Sequence, residues 1–139
     1  MKAKVFSKIL VSLGLVFLFG SVITQVYGED DKYPLITIHS TGDVTRGKTG
    51  SFVLNMNPVV FGGMYVNFSV SGTAIPGVDY VELVSPAHIG QSGYGVILVQ
   101  TLPNRRAPPV QSYSVVVTLE PSPGYALGEP KSAQMMIKP

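Results

Sequence analysis

The sequence predicts an all-β fold, an antiparallel Greek-key β-sandwich of the immunoglobulin-like kind with about seven strands. Three observations carry this. Apolar residues recur at every second position through most of the chain, the period that sends alternate side chains to opposite faces of a pleated strand. Glycine and proline clusters stand between these runs and not inside them, as ladder hydrogen bonding requires. Beyond residue 28 there is no convincing helical period.

Taken in order, the first strand is expected at residues 35–39. In the second, Phe52, Leu54 and Met56 alternate with Ser51, Val53 and Asn55; in the third, Val66, Phe68 and Val70 alternate with Asn67, Ser69 and Ser71. Asn57-Pro58 and Phe61-Gly62-Gly63 separate these two. A fourth strand is expected at 80–84 and a fifth at 96–101, a nearly continuous apolar run preceded by Gly90, Gly93 and Gly95. Tyr113, Val115, Val117 and Leu119 share one face of the sixth, which Pro121-Ser122-Pro123-Gly124 closes. Ala133, Met135 and Ile137 share one face of the last, and the chain has neither an internal repeat nor a low-complexity tail.

Residues 1–28 stand apart. Lys2, Lys4 and Lys8 precede an uncharged apolar run at 9–23, and Val26-Tyr27-Gly28 offers tolerated residues before a cleavage point, the pattern of a secretory signal peptide cut before Glu29. The apolar run falls short of the roughly 20 residues that a membrane span needs. The expectation is therefore an exported protein, secreted or periplasmic, with no membrane attachment after cleavage and a single domain at 29–139. Three of the ten basic residues lie in the leader and all eight acids lie beyond it, leaving seven bases against eight acids. That balance argues against a nucleic-acid partner. The absence of cysteine excludes disulfides, thiolate metal sites and lipoprotein attachment through an N-terminal Cys.

The most informative stretch is Gly72-Thr73-Ala74-Ile75-Pro76-Gly77-Val78-Asp79-Tyr80: a strand leaves its sheet through a glycine, crosses on a proline-stiffened turn and re-enters at an acid and an aromatic. The pattern G-T-A-x-x-G-x-D-Y resembles the signature of the Calx-beta domain, a calcium-binding or adhesion β-sandwich. The ending Tyr125-Ala126-Leu127-Gly128, leading to Ser132-Ala133 and Ile137, is similar to that family's last turn and strand. The resemblance spans roughly residues 36–137 and implies a calcium site at one end of the sandwich. Its ligands would be a Glu before the glycine that precedes the second strand, the Asp of the D-Y pair, and an acidic cluster between the fifth and sixth strands.

Here Asp79 matches the D-Y acid and is the family-matched metal position, but Arg46 stands before Gly47 and the 102–111 loop carries Arg105 and Arg106 with no acid. Calcium takes six to eight oxygen ligands, several of them carboxylate, and one acid beside three arginines repels it. The expectation is a calcium-independent relative, without cofactor, in which Arg46, Arg105 or Arg106 forms an internal ion pair with Asp79.

Catalysis is not expected. His39 and His88 have no spacing toward a triad, Gly90-Gln91-Ser92-Gly93-Tyr94 misses the nucleophile-elbow pattern, and Gly93-Tyr94-Gly95 lacks the helix that phosphate binding needs. Asn67-Phe68-Ser69 fits a glycosylation sequon but reads as the outward side of a strand. Two alternatives accompany the reading as a binding module: residual calcium-dependent adhesion, and periplasmic copper binding through His39, Met56, Met64, His88, Met135 and Met136. For a protein or cell-surface partner, the exposed points expected to make contact are Phe61 and Met64 in one loop and Arg105 and Arg106 in the other. Edge strands allow weak self-association.

Overall fold

A computed structural model of the chain describes residues 33–103, 106 and 111–139. The expected leader, its cleavage point and Arg105 lie outside the described residues. Ten strands form among those described: β1 (Leu35–Ser40), β2 (Val44–Thr45), β3 (Thr49–Asn57), β4 (Met64–Val66), β5 (Phe68–Ser71), β6 (Ala87–Ile89), β7 (Tyr94–Gln100), β8 (Tyr113–Leu119), β9 (Ala126–Leu127) and β10 (Ser132–Lys138). They make one sheet in the order β9-β1-β3-β7, a second in the order β2-β10-β8-β5, and a two-stranded ribbon, β4-β6.

The alternation in the sequence decides what lies between the sheets. Register pairs Ile38 with Leu54 and Phe52 with Ile97 in the first sheet, and Met135 with Val115 and Val117 with Val70 in the second. The inward set Ile36, Ile38, Phe52, Leu54, Met56, Ile97 and Val99 thereby meets Val44, Phe68, Val115, Val117, Leu119, Met135 and Ile137, all buried. Burying an aliphatic or aromatic side chain of this size stabilises a fold by about 1.5–3 kcal/mol each, before chain entropy is counted.

The strand count exceeds the expected seven for two physical reasons. Both ends of the chain switch sheets: β1 and β9 pair in parallel in the first sheet, and β2 and β10 do so in the second, adding two parallel edges to an otherwise antiparallel arrangement. The expected third strand divides at Asn67, whose N–H donates to the Tyr125 hydroxyl at 3.2 Å and not to a ladder partner. On either side of that break β4 pairs with β6, and β5 pairs with β8.

The expected strand at 80–84 does not form. Tyr80 makes an isolated bridge to Thr101, and the Val81 N–H donates to the Gln100 carbonyl at 2.9 Å. The chain then leaves the edge of β7, ahead of a proline with no N–H to give at position 86. The apolar run at 96–101 is also buried on one face only: Ile97 and Val99 point inward, while Val96 and Leu98 remain exposed.

Candidate functional site

Three connections pass between the two sheets at one end of the sandwich. The turn after β2 carries Arg46, Gly47 and Lys48 into β3; residues 72–81 carry the chain from the β5 edge to the β7 edge; and the segment after β7 begins the return to β8. The signature motif is the second of these. Gly72, at φ +112°, turns the chain so tightly against β8 that a Cβ there would lie 2.4 Å from the Ser114 carbonyl oxygen. Thr73 then exchanges bonds with Ser114: its N–H donates to the Ser114 hydroxyl at 3.0 Å and its hydroxyl accepts from the Ser114 N–H at 2.8 Å. Ala74 donates to the Ser114 carbonyl at 2.8 Å. Past Pro76 and Gly77 the turn closes as the Asp79 N–H donates to the Ile75 carbonyl at 2.8 Å.

This turn delivers Asp79, fully buried, to the point where the three connections meet. One carboxylate oxygen, Oδ1, accepts from Arg46 Nη2; the other, Oδ2, accepts from Arg106 Nη2 and from the Ile75 N–H at 2.7 Å. Arg46 is 6% exposed and Arg106 22% exposed. Arg46 also donates through Nη1 to the Leu102 carbonyl at 3.2 Å, and Leu102 N–H donates back to the Asp79 carbonyl at 2.9 Å. The Arg106 guanidinium lies 3.6 Å from the centroid of the Tyr113 ring, a cation–π stack that flattens it over the core. Burial raises the pKa of Asp79, but the bonds from Arg46, Ile75 and Arg106 outweigh it and hold the carboxyl below its ordinary value. For Arg106 burial acts downward, and the bonds to Asp79 and Tyr113 raise its pKa on balance.

Thr101 completes the cluster from the inward end of β7. Its buried hydroxyl donates to the Lys48 carbonyl at 2.5 Å and accepts from the Gly47 N–H at 2.8 Å, tying the first connection to the third. Chemically the arrangement is a clamp. Both carboxylate oxygens already accept from guanidinium groups, so a cation approaching Asp79 meets two positive charges held against it. No group of three or more His, Asp or Glu side chains placed to hold a metal occurs among the described residues.

The other candidate residues are dispersed. Phe61 is 93% exposed in the turn between β3 and β4, whereas Met64, expected beside it at the surface, packs against the core from β4. Met56 and Met135 are buried filling of the two inner faces. His39 lies exposed on β1, and His88 lies exposed on β6 with its ring 4.8 Å from that of Tyr65. Tyr65 and Tyr94 are exposed, while Tyr113 and Tyr125 are buried, the latter donating to the Glu120 carbonyl at 2.5 Å.

Thr73, Thr101 and Ser114 were not among the residues the sequence singled out. Thr101 carried a usable signal: it shares the inward parity of Ile97 and Val99, where a hydroxyl requires partners. The meeting of Thr73 with Ser114 joins residues far apart in the chain and left no local trace.

No family model matches the sequence, and no curated protein matches it. Three solved structures of similar fold are the apo-form Calx CBD1 domain, CBD12 from CALX1.2, and the calcium binding domain CBD12 of CALX1.1. The first is 16% identical with a TM-score of 0.57, covering 76% of this chain and 96% of its own. The second is 15% identical with a TM-score of 0.60, covering 75% and 44%, and the third is 17% identical with a TM-score of 0.56, covering 73% and 43%. This chain therefore spans less than half the length of either CBD12 chain. At these identities the likeness is one of architecture: the chain has an all-β sandwich fold similar to that of the Calx-beta domains.

Proposed function

We propose that the chain is an exported, non-catalytic binding module of Calx-beta type whose loop end is held by an internal ion cluster and does not require calcium. The observation that carries this reading is the occupation of both Asp79 oxygens by Arg46 and Arg106. In a calcium-binding relative a divalent cation would draw acids from separate loops together; here two tethered guanidinium groups perform that neutralisation, and the three connections are joined through Asp79, Leu102 and Thr101. At the opposite end of β3, Phe61 and its turn are the exposed apolar point for a protein or cell-surface partner.

Thermal unfolding in calcium and then in excess chelator tests the reading. A ligand that binds only the native state stabilises by RT ln(1 + [L]/Kd), so millimolar calcium at a micromolar site would add about 4 kcal/mol. The expected result is coincident melting curves. An upward shift in calcium would replace this proposal with calcium-dependent adhesion, and stoichiometric copper binding lost on substitution of His39 or His88 would replace it with a copper carrier.

A further inference from the structure

The outer faces of the two sheets differ in kind. Side chains alternate along a strand, so the residues between the buried positions of β1, β3 and β7 point away from the core. Register sets them in rows across the first sheet: Thr37 beside Asn55 and Tyr94, His39 beside Val53 and Val96, and Ser51 beside Leu98. Leu35, Tyr94, Val96 and Leu98 are each between 48% and 62% exposed. The second sheet turns hydroxyls outward instead. Ser69 stands beside Thr118 and Thr118 beside Ser132, the latter pair bonded at 3.0 Å, and none of the strongly exposed apolar side chains among the described residues lies on that face.

No lysine, arginine, aspartate or glutamate stands at an outward position of β1, β3, β7 or β9. This favours one occupant, a second copy of the chain. A twofold contact sets the same patch against itself, and like charges within it would repel. The polar groups on this face are the hydroxyls of Thr37, Ser51 and Tyr94, the amides of Asn55 and Asn57, and the His39 ring, which both donate and accept and so can pair with their own kind. A charged partner would find no counter-charge here. The size also fits. The four exposed apolar side chains leave on the order of 400 Å² in water, and the polar rows bring the face to roughly 700 Å², close to the about 800 Å² per partner of a standard interface. Edge pairing is the poorer route: on the β7 edge the Tyr94 carbonyl accepts from Gly90 at 3.2 Å and the Gln100 carbonyl from Val81 at 2.9 Å, while β9 at the opposite edge has only 2 residues.

We infer that two copies of the chain associate through this sheet, face to face about a twofold axis. Val53, Val96 and Leu98 form the apolar middle of the contact, Tyr94 supplies an aromatic anchor beside them, and the Thr37, Asn55 and Asn57 side chains hydrogen-bond around it. Sheets packed in this way lie about 10 Å apart with strands within about 30° of each other, so outward side chains of the two copies interdigitate. At this size the dimer is reversible, dissociating in roughly the ten-micromolar to millimolar range. The contact does not depend on the Asp79 cluster, which joins the connections at one end of the sandwich.

Sedimentation velocity of the purified protein, from about 5 μM to about 1 mM, tests this. The sedimentation coefficient should rise from the monomer value toward that of a dimer across the range. Val96→Lys and Leu98→Lys each set two lysines into one symmetric contact and should each weaken association at least about tenfold. Gln134→Lys, exposed on the second sheet, should leave it unchanged. At the lowest concentration all three variants should melt within about 2 °C of the wild type, because the substituted positions are exposed. Amide NMR signals that shift on dilution should belong to β1, β3 and β7. A monomer at every concentration overturns the inference and leaves the face to a partner of another kind. So does a dimer that survives both Val96→Lys and Leu98→Lys, one that Gln134→Lys disrupts equally, or dilution shifts confined to another surface.

Discussion

Replacing Asp79 with asparagine isolates the electrostatic part of the clamp, because the side chain keeps its shape and loses its charge. Arg46, 6% exposed, is then left with its positive charge buried and its carboxylate gone. Removing one partner of a buried pair costs about 3–5 kcal/mol, most of it the penalty for the charge left behind. For a domain of this size 1 kcal/mol moves the melting point by about 4–5 °C, so Asp79→Asn should melt roughly 12–25 °C lower at pH 7. The loss is a large share of the 5–15 kcal/mol that holds a typical domain together.

The pH dependence distinguishes this cause from a packing defect. The folded pKa of Asp79 is depressed, so its contribution is fully present above the unfolded carboxyl value of about 3.9 and is lost as pH falls through the folded pKa. Melting curves of the wild type and the variant, followed by circular dichroism, should therefore lie far apart at pH 7 and converge as the medium is acidified past that folded value. Salt should leave most of the gap at neutral pH, since a buried pair is weakly screened. A gap under about 1 kcal/mol at pH 7, or one that persists unchanged in acid, would refute the argument.

Two further substitutions probe the connections themselves. Gly72→Ala places a Cβ 2.4 Å from a backbone oxygen at φ +112° and should cost at least about 3 kcal/mol, whereas Gly77→Ala, at φ +86° with open space around it, should cost about 1–2 kcal/mol; chemical denaturation of the two variants checks the ranking. Thr101→Val keeps the shape but leaves the Lys48 carbonyl and the Gly47 N–H without their hydroxyl, and should lower stability by about 1–3 kcal/mol in the same assay.

Sheet-forming positions were legible wherever one face is buried and the other wet. Phe52, Leu54 and Met56, or Tyr113 through Leu119, announce their parity because water and core select opposite residue types at successive positions. Val44–Thr45 and Ala126–Leu127 were not legible, since two residues contain no period and their parallel partners lie at the other end of the chain. Residues 80–84 misled for a related reason: local pattern reports the propensity to extend but not whether an edge is offered, and only Tyr80 and Val81 stay on β7. At the loop end, Asp79 was visible through its motif and Arg46 through its place before Gly47. That Arg106 stacks on Tyr113 as it meets Asp79 depends on the path of a proline-rich loop, which residue spacing does not specify.

Replacing a bound cation by tethered arginines changes what controls the loop end. A metal site is stabilised in proportion to the logarithm of ligand activity, so its loops loosen when the ion is diluted. Arg46 and Arg106 cannot be diluted, and the depressed pKa of Asp79 makes acid the condition that releases the cluster. In the arrangement proposed here the ends of the three connections would thus be insensitive to calcium and sensitive only to acid. The turn that exposes Phe61 follows the far end of β3 and is fixed independently of the clamp, by the Gly63 N–H donating to the Val60 carbonyl at 3.0 Å.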